Sequence, residues 1–315
     1  MGWRRGAALR WAIAVHGGAG DWDVARHAQA RAGVSSAAQR GGILLAGGGA
    51  ALDAVTAAVA ALEDDPSFNA GTGSVLNRDG EVEMDAAVMT GHDLAFGAVA
   101  AIRRVRNPVL VARCVMERSG HALLAGEGAV RFAREQGFGD YDPVTAGARA
   151  AFERARADLR LGTVGAVALD SAGRLAAATS TGGVLLKLAG RVGDTPLPGA
   201  GTYATQGAAV SATGKGELMM RVLAAKSICD LAAAGLSAQD AADRVLAAMR
   251  DAVGADAGFI AIGRDGSIGM AHGTRHMAGA WWTSEQSAVR ATMARDAAGS
   301  PLTPARQTDR GRRRR

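Results

Sequence analysis

Apolar and polar positions along the chain follow two periods. Leu52, Val55, Val59 and Leu62 recur at spacings of three, four and three, one apolar face of a helix that starts after Gly47-Gly48-Gly49 and stops before Pro66. Asn107-Pro108 predicts a second helix start, with Asn as cap and Pro in the first turn, running to about Ser119-Gly120. Two longer helical patterns follow, Glu217 to Ala234 and Ser237 to Val253, the second opening on the capping-box spacing Ser237-x-x-Asp240. Trp11 to His16 reads as a buried strand entering a glycine turn, His16-Gly17-Gly18-Ala19-Gly20. Three segments read as strand, short turn, strand; their turns are Asn77-Arg78-Asp79-Gly80, Asp170-Ser171-Ala172-Gly173 and Gly263-Arg264-Asp265-Gly266. Hairpins and helices come in blocks. That order predicts an α+β fold, with antiparallel sheet covered by helices, over a doubly wound parallel sheet.

Asp142 to Leu161 breaks the pattern. It is rich in Ala, Arg and Glu, carries no strand signal, and reads as an exposed helix or a connector. It ends abruptly at Gly162, after which Thr163-Val164-Gly165-Ala166-Val167-Ala168-Leu169-Asp170 has the composition of a buried strand.

With 315 residues and a hydrophobic fraction of 48%, the chain can bury a sizeable core. Aromatics make up only 4% and glycines number 44, so that core relies on small residues and close backbone approach. The net charge of +6 is carried mostly by six arginines between Pro301 and Arg315, opposed there by Asp309 alone. The body is therefore near neutral, which argues against nucleic acid as a partner, and residues 291–315 read as a solvated basic tail. Cys114 and Cys229 are far apart and outside any CxxC pattern, so neither a disulfide framework nor a zinc cage is expected and a cytoplasmic location fits. No run approaches the ~20 apolar residues that cross a bilayer. Trp11 to Val15 is too short for a signal sequence.

The candidate chemistry lies at Thr163. A threonine hydroxyl is a weak nucleophile until a base takes its proton, and a threonine at a free N-terminus brings its own base, the α-amine. Cleavage before Thr163 would create that amine, and Gly162 leaves the bond sterically open; a β-branched residue starting a strand is the plainer reading. Thr179-Ser180-Thr181-Gly182-Gly183 ends the second strand of the same hairpin and brings Thr181 beside Thr163. Arg191-Val192-Gly193-Asp194 offers a cation for a carboxylate and an anion for an ammonium, or else a surface ion pair. Thr213-Gly214-Lys215-Gly216-Glu217 lies between a strand and a helix, a setting for an oxyanion site or a plain capping turn. Gly214-Lys215 is not a phosphate loop, because Gly216 stands where Ser or Thr is needed. His272 and His276 have metal-like spacing but strand context, and Gly47-Gly48-Gly49 follows a helical region, so zinc and dinucleotides are not expected.

Together these stretches, with Ile13-Ala14-Val15-His16-Gly17-Gly18-Ala19-Gly20, Phe68-Asn69-Ala70-Gly71, Met84-Asp85-Ala86 and Gly199-Ala200-Gly201, resemble the plant-type asparaginases, or isoaspartyl peptidases, among the N-terminal-nucleophile hydrolases. Order and spacing match from about Ala12 to Met277. The resemblance implies a four-layer αββα sandwich spanning 1–290, cut into subunits 1–162 and 163–315 that stay together. It implies Thr163 as nucleophile, positioned by Thr181, with Asn69 nearby and Thr213 and Gly214 as the oxyanion hole. Arg191 and Asp194 would grip the substrate's α-carboxylate and α-amino groups, helped by Gly216. The segment Leu62 to Thr72 resembles a sodium-binding loop, with backbone carbonyls of Leu62, Glu63, Asp65, Phe68, Ala70 and Thr72 as ligands and no cofactor for the chemistry. Substrates would be asparagine or β-aspartyl dipeptides, and the assembly a homodimer of cleaved precursors. Two alternatives stay open: a glycosylasparaginase-like amidase, and an uncleaved relative that only binds an amino acid.

Overall fold

A computed structural model describes residues 10–154 and 162–293. The first stretch holds β1 (Ala12–Gly20), α1 (His27–Ala46), α2 (Ala51–Asp64), β2 (Met84–Thr90), β3 (Phe96–Ile102), α3 (Pro108–Arg118), β4 (Leu123–Ala125), α4 (Gly126–Glu135) and α5 (Ala146–Arg154). The second holds β5 (Val164–Leu169), β6 (Leu175–Thr181), β7 (Thr202–Ala204), β8 (Ala208–Gly214), α6 (Gly216–Val222), α7 (Ala224–Ala233), α8 (Ala238–Val253), β9 (Ala257–Gly263), β10 (Ile268–His272), β11 (His276–Thr283) and β12 (Arg290–Thr292).

The larger sheet runs β12-β11-β1-β5-β6-β2-β3-β4 and the smaller β10-β9-β8-β7. Among the strands of the described residues only β3 and β4 pair in parallel, so the fold is mixed α+β with predominantly antiparallel sheet. Three large buried clusters among the described residues hold it together, beside a small one at Val75 and Leu185. Val34, Leu45, Val55, Val59 and Leu62 of α1 and α2 pack with Ile13, Val15, Val164 and Ala178 of the larger sheet. Ile228, Val245, Leu246 and Met249 of α7 and α8 pack with Val210, Phe259 and Ala261 of the smaller. Ala14, Val167, Leu169 and Ala177 from the larger sheet meet Ala209, Ile260 and Ile262 from the smaller. Central strands are thus buried on both faces, which is why they read as continuous apolar runs. Each fully buried Val, Leu or Ile contributes about 1.5–3 kcal/mol relative to exposure. Among the described residues, no helix is long and apolar enough to cross a membrane.

The α2 stripe, the α3 start at Pro108, the hairpins at 170–173 and 263–266 and the Ser237 cap all match the sequence pattern; Ser237 Oγ accepts the N–H of Asp240 at 3.1 Å. Four expectations are corrected. The glycines after His16 do not turn the chain; they continue β1, with a register shift between His16 and Ala19. Asn107 does not cap α3 with its side chain, which donates instead to the Ala60 carbonyl and to Asp64. The turn at 77–80 forms, because Asn77 Oδ1 accepts the N–H groups of Asp79 and Glu81, but no strand precedes it. The helix from Glu217 is broken at Leu223, whose φ of 47° and ψ of 55° end α6 and start α7. The 142–161 segment contains α5; residues 155–161 lie outside the described residues, as does the basic segment beyond 293. The segment expected as a tail from 291 begins inside β12.

Candidate active site

Thr163 sits just before β5, with 6% of its surface exposed, and leads into the hairpin that β6 completes. That hairpin places Thr181 opposite it, and Thr163 Oγ1 donates to Thr181 Oγ1 at 3.2 Å. Thr181 Oγ1 accepts the N–H of Gly183 at 2.9 Å and gives its own proton to the Gly162 carbonyl at 2.9 Å. Asn69 Nδ2 reaches the same carbonyl at 2.9 Å and that of Gly183 at 2.8 Å, while its Oδ1 accepts the N–H of Val75. The carbonyl of the Gly162–Thr163 peptide thus faces two donors, the arrangement that stabilises a developing oxyanion. Gly18 closes over this bond: a Cβ there would come 3.2 Å from Gly162 Cα and 3.3 Å from Thr163 N. The next residue, Ala19, donates its N–H to Thr213 Oγ1 at 3.4 Å, so Thr213 at the end of β8 keeps its hydroxyl proton free to donate elsewhere. Gly214 follows at φ 155°, a conformation that L side chains rarely adopt.

Arg191 and Asp194 lie beside this row. A Cβ on Gly183 would be 3.4 Å from Arg191 Nη1, which places the guanidinium next to the turn held by Thr181 and Asn69. Arg191 does not pair with Asp194 as the sequence spacing suggested. Its Nε and Nη2 bind Glu217 in a bidentate pair at 2.9 and 3.0 Å. That fork fixes the guanidinium and leaves Nη1 for a ligand. Asp194 is fully buried and its Oδ2 has no hydrogen-bond partner. Burial pushes its carboxyl up to about 7, with Asp85 and Glu217 adding to the rise and Arg191 opposing it. Gly216 leaves the space above it open, since a Cβ there would come 2.7 Å from Asp194 Oδ1. A partnerless buried carboxylate oxygen beside a preset guanidinium matches an α-amino acid. Beneath them Asp85, raised by burial, accepts the N–H groups of Ala101 and Gly193, and Lys187, lowered by burial, donates to the Glu83 carbonyl.

The 62–72 segment closes on itself. The carbonyls of Leu62, Glu63 and Asp65 accept the N–H groups of Asp65, Thr72 and Phe68. Each such carbonyl keeps a second lone pair. The buried Glu63 carboxyl is pushed up to about 8 by burial, and its Oε2 and the Ser180 hydroxyl both lack a partner of hydrogen-bond geometry. Carbonyls with a spare lone pair are the kind of oxygen ligand that a hard cation takes.

All the residues expected from sequence therefore gather at one place, except the 62–72 carbonyls, which lie behind Asn69. Sequence reading missed Glu217 and Lys187 as parts of the site and gave Asp85 no role. Glu217 and Asp85 stand inside motifs already noted, and the signal of Lys187 is a lone charge in the apolar run Val184-Leu185-Leu186-Lys187-Leu188.

A threonine leading into a strand behind a polarised glycyl carbonyl, with an arginine and a buried aspartate beside it, marks the class of candidate amide hydrolases that use a threonine nucleophile. The asparaginase family model matches residues 9–158 and 146–291. A plant-type L-asparaginase of Pyrococcus abyssi is 46% identical over 289 residues, 84% of this chain and 94% of that protein. An isoaspartyl peptidase of Salmonella typhimurium is 45% identical over 297 residues, covering 85% and 94%. An isoaspartyl peptidase/L-asparaginase of Bos taurus is 44% identical over 272 residues, covering 81% and 87%. The chain belongs to the asparaginase family.

Proposed function

We propose that this chain hydrolyses L-asparagine to aspartate and ammonia, and β-aspartyl dipeptides to aspartate and an amino acid, after cutting itself before Thr163. The observation that carries this reading is the Gly162–Thr163 peptide, its carbonyl held by Thr181 and Asn69, with Arg191 against the Gly183 turn that the same two side chains hold. In the first stage Thr163 Oγ1 bonds to the Gly162 carbonyl carbon as the C–N bond breaks, and the hydroxyl proton passes to the departing nitrogen, leaving an ester and a free α-amine on Thr163. Water then hydrolyses the ester. In the second stage that amine takes the Thr163 hydroxyl proton, and Oγ1 attacks the substrate's side-chain carbonyl. Thr213 and the Gly214 N–H stabilise the oxyanion. Ammonia or the downstream amino acid leaves with a proton, and water releases aspartate from the acyl-enzyme. Arg191 takes the substrate α-carboxylate; Asp194 takes its ammonium, with Gly216 leaving room for it.

In this reading the three clusters stack as a four-layer αββα sandwich over 1–290, cut into 1–162 and 163–315, and two cleaved precursors pair as a homodimer in the cytoplasm. A sodium ion held by carbonyls of Leu62, Glu63, Asp65, Phe68, Ala70 and Thr72 would stiffen the segment behind Asn69 and take no part in the chemistry.

The test is turnover of asparagine and of β-aspartyl-leucine, followed as ammonia and leucine release. Both should be substrates. Release of neither product by a fully cleaved protein would overturn the reading.

Two further outcomes follow from the geometry. Asn69→Ala removes one of the two donors on the Gly162 carbonyl, so self-cleavage should slow by about 10²–10³-fold. Chain separation on a denaturing gel over hours to days reads this directly, and cleavage at the wild-type rate would contradict the role. The second concerns pH. Free enzyme must hold Asp194, raised to about 7 by burial, ionised, and the Thr163 amine, ~7.7–8.0 when unperturbed, neutral. Below pH ~6.5 the logarithm of kcat/KM should therefore rise with a slope near two, while kcat, measured with the substrate ammonium already on Asp194, rises with a slope near one. A slope near one in both would remove Asp194 from the grip. Its raised pKa also means that its contribution to stability is present at low pH and is lost as pH rises through about 7.

A further inference from the structure

The strands that carry the catalytic threonines carry a second polar row one pleat step deeper. Gly165, Thr179 and Ser211 stand two positions from Thr163, Thr181 and Thr213, and so on the same faces of their strands. In the larger sheet His16, Gly165 and Thr179 are direct cross-strand neighbours; in the smaller, Ser211 faces Thr202. The two rows meet between the sheets. His16 Nε2 lies 3.0 Å from Ser211 Oγ, and Ser211 Oγ 2.8 Å from Thr179 Oγ1. Thr179 Oγ1 lies 2.7 Å from Thr202 Oγ1, which reaches the Thr195 carbonyl at 3.1 Å. All five residues are buried. Gly165 is the gap that admits the chain: a Cβ there would overlap Ser211 Oγ and come 2.6 Å from His16 Nε2.

Around this chain the contact between the sheets is apolar, made by Ala14, Val167, Ala177, Ala209 and Ile260. Buried polar groups in such a setting cost stability unless they are connected. Here the proton order is fixed by one end. Thr202 Oγ1 has one proton and donates it to Thr179 Oγ1 at 2.7 Å, with the Thr195 carbonyl a longer second acceptor at 3.1 Å. Thr179 then donates to Ser211 and Ser211 to His16 Nε2, which leaves the ring proton on Nδ1. The imidazole is therefore neutral, in keeping with the burial that pushes it down to about 3. Its other nitrogen has no partner of hydrogen-bond geometry, although the ring lies against the Thr163 backbone. One end of the chain thus touches the residue that bears the nucleophile. The other holds the residue that follows Asp194.

We propose that His16, Ser211, Thr179 and Thr202 are positioning residues, a directional hydrogen-bond chain that sets the separation between Thr163 and the Asp194–Thr195 loop. The inference rests on the reading of Thr163 as nucleophile. None of the four touches the substrate. An apolar layer would hold the sheets together as firmly, but apolar contact is non-directional and fixes no register between them. A chain with a single donor order does.

Thr179→Val keeps the shape and deletes the central hydroxyl; Thr179→Ser keeps the hydroxyl. Measured on cleaved, folded protein, kcat for asparagine should fall about tenfold or more in the valine variant and return to within about threefold of wild type in the serine variant, as expected for misplaced reacting groups. Nitrogen-15 spectra of wild type should show His16 as the neutral Nδ1–H tautomer. A folded, cleaved Thr179→Val with kcat and KM within twofold of wild type would overturn the proposal. So would equal losses in both variants, or an Nε2–H tautomer at His16. Should Thr179→Val not fold, Ser211→Ala interrupts the same chain and is read the same way. Wild type and Thr163→Ala run alongside: an active wild type and a dead Thr163→Ala keep the nucleophile reading standing whatever Thr179 does, and an inactive, cleaved wild type removes both.

Discussion

Thr163→Ala is expected to stay as one uncut chain and to release no measurable ammonia from asparagine. The hydroxyl is asked to act twice, first on the Gly162 carbonyl and then on the substrate. Its loss removes the self-cleavage, and with it the α-amine that serves as base. Removing a nucleophile of this kind typically costs about 10⁴–10⁶ in rate. The fold should survive, because the deleted group makes one hydrogen bond, to Thr181, worth about 1 kcal/mol. A melting curve near wild type therefore belongs to the expected result. Thr163→Ser, which retains an oxygen at the same place, should still cut and still turn over. An alanine variant with substantial ammonia release would mean that another group attacks.

Arg191→Ala should lower kcat/KM for asparagine by about 10²–10³, mostly through KM, as truncating one partner of a buried charge pair costs about 2–5 kcal/mol. Its side chain is 16% exposed and held by Glu217 through two hydrogen bonds. Without it Glu217 loses its partner, and Asp194 and Asp85 lose a cation that favours their ionised forms. The substrate carboxylate would then enter a site with three carboxyl groups and one buried lysine. Arg191→Lys should not rescue it, because a point charge cannot hold Glu217 with two bonds and also present an edge to the substrate. A kcat/KM within threefold of wild type would rule out the carboxylate grip.

Much of this site is legible in the sequence because its parts are local. The hairpin around Asp170-Ser171-Ala172-Gly173 is enough to put Thr181 beside Thr163, since a short turn fixes the register of its two strands. The helix stripe from Leu52 to Leu62 is legible for the same reason: its period is set by the helix alone. What the sequence hides is what depends on partners far along the chain. Arg191 and Asp194 read as a pair from their spacing, yet the fold hands Arg191 to Glu217, 26 positions away. Glycines after His16 suggest a turn, but β1 continues through a register shift in which Gly18, at φ 103°, lies over Gly162 and Thr163. The helix after Glu217 has an unbroken apolar period, and nothing in that period predicts the left-handed Leu223. The polar chain from His16 to Thr202 is spread over four strands in two sheets and has no local signature.

Mass spectrometry and N-terminal sequencing of the purified protein under denaturing conditions, paired with ammonia release, bear most directly on whether Thr163 works from a free amine. Two chains are expected, the second beginning Thr-Val-Gly, with activity rising in proportion to the cut fraction. A polypeptide continuous through Gly162 and Thr163 that turns over asparagine at the full rate would contradict it.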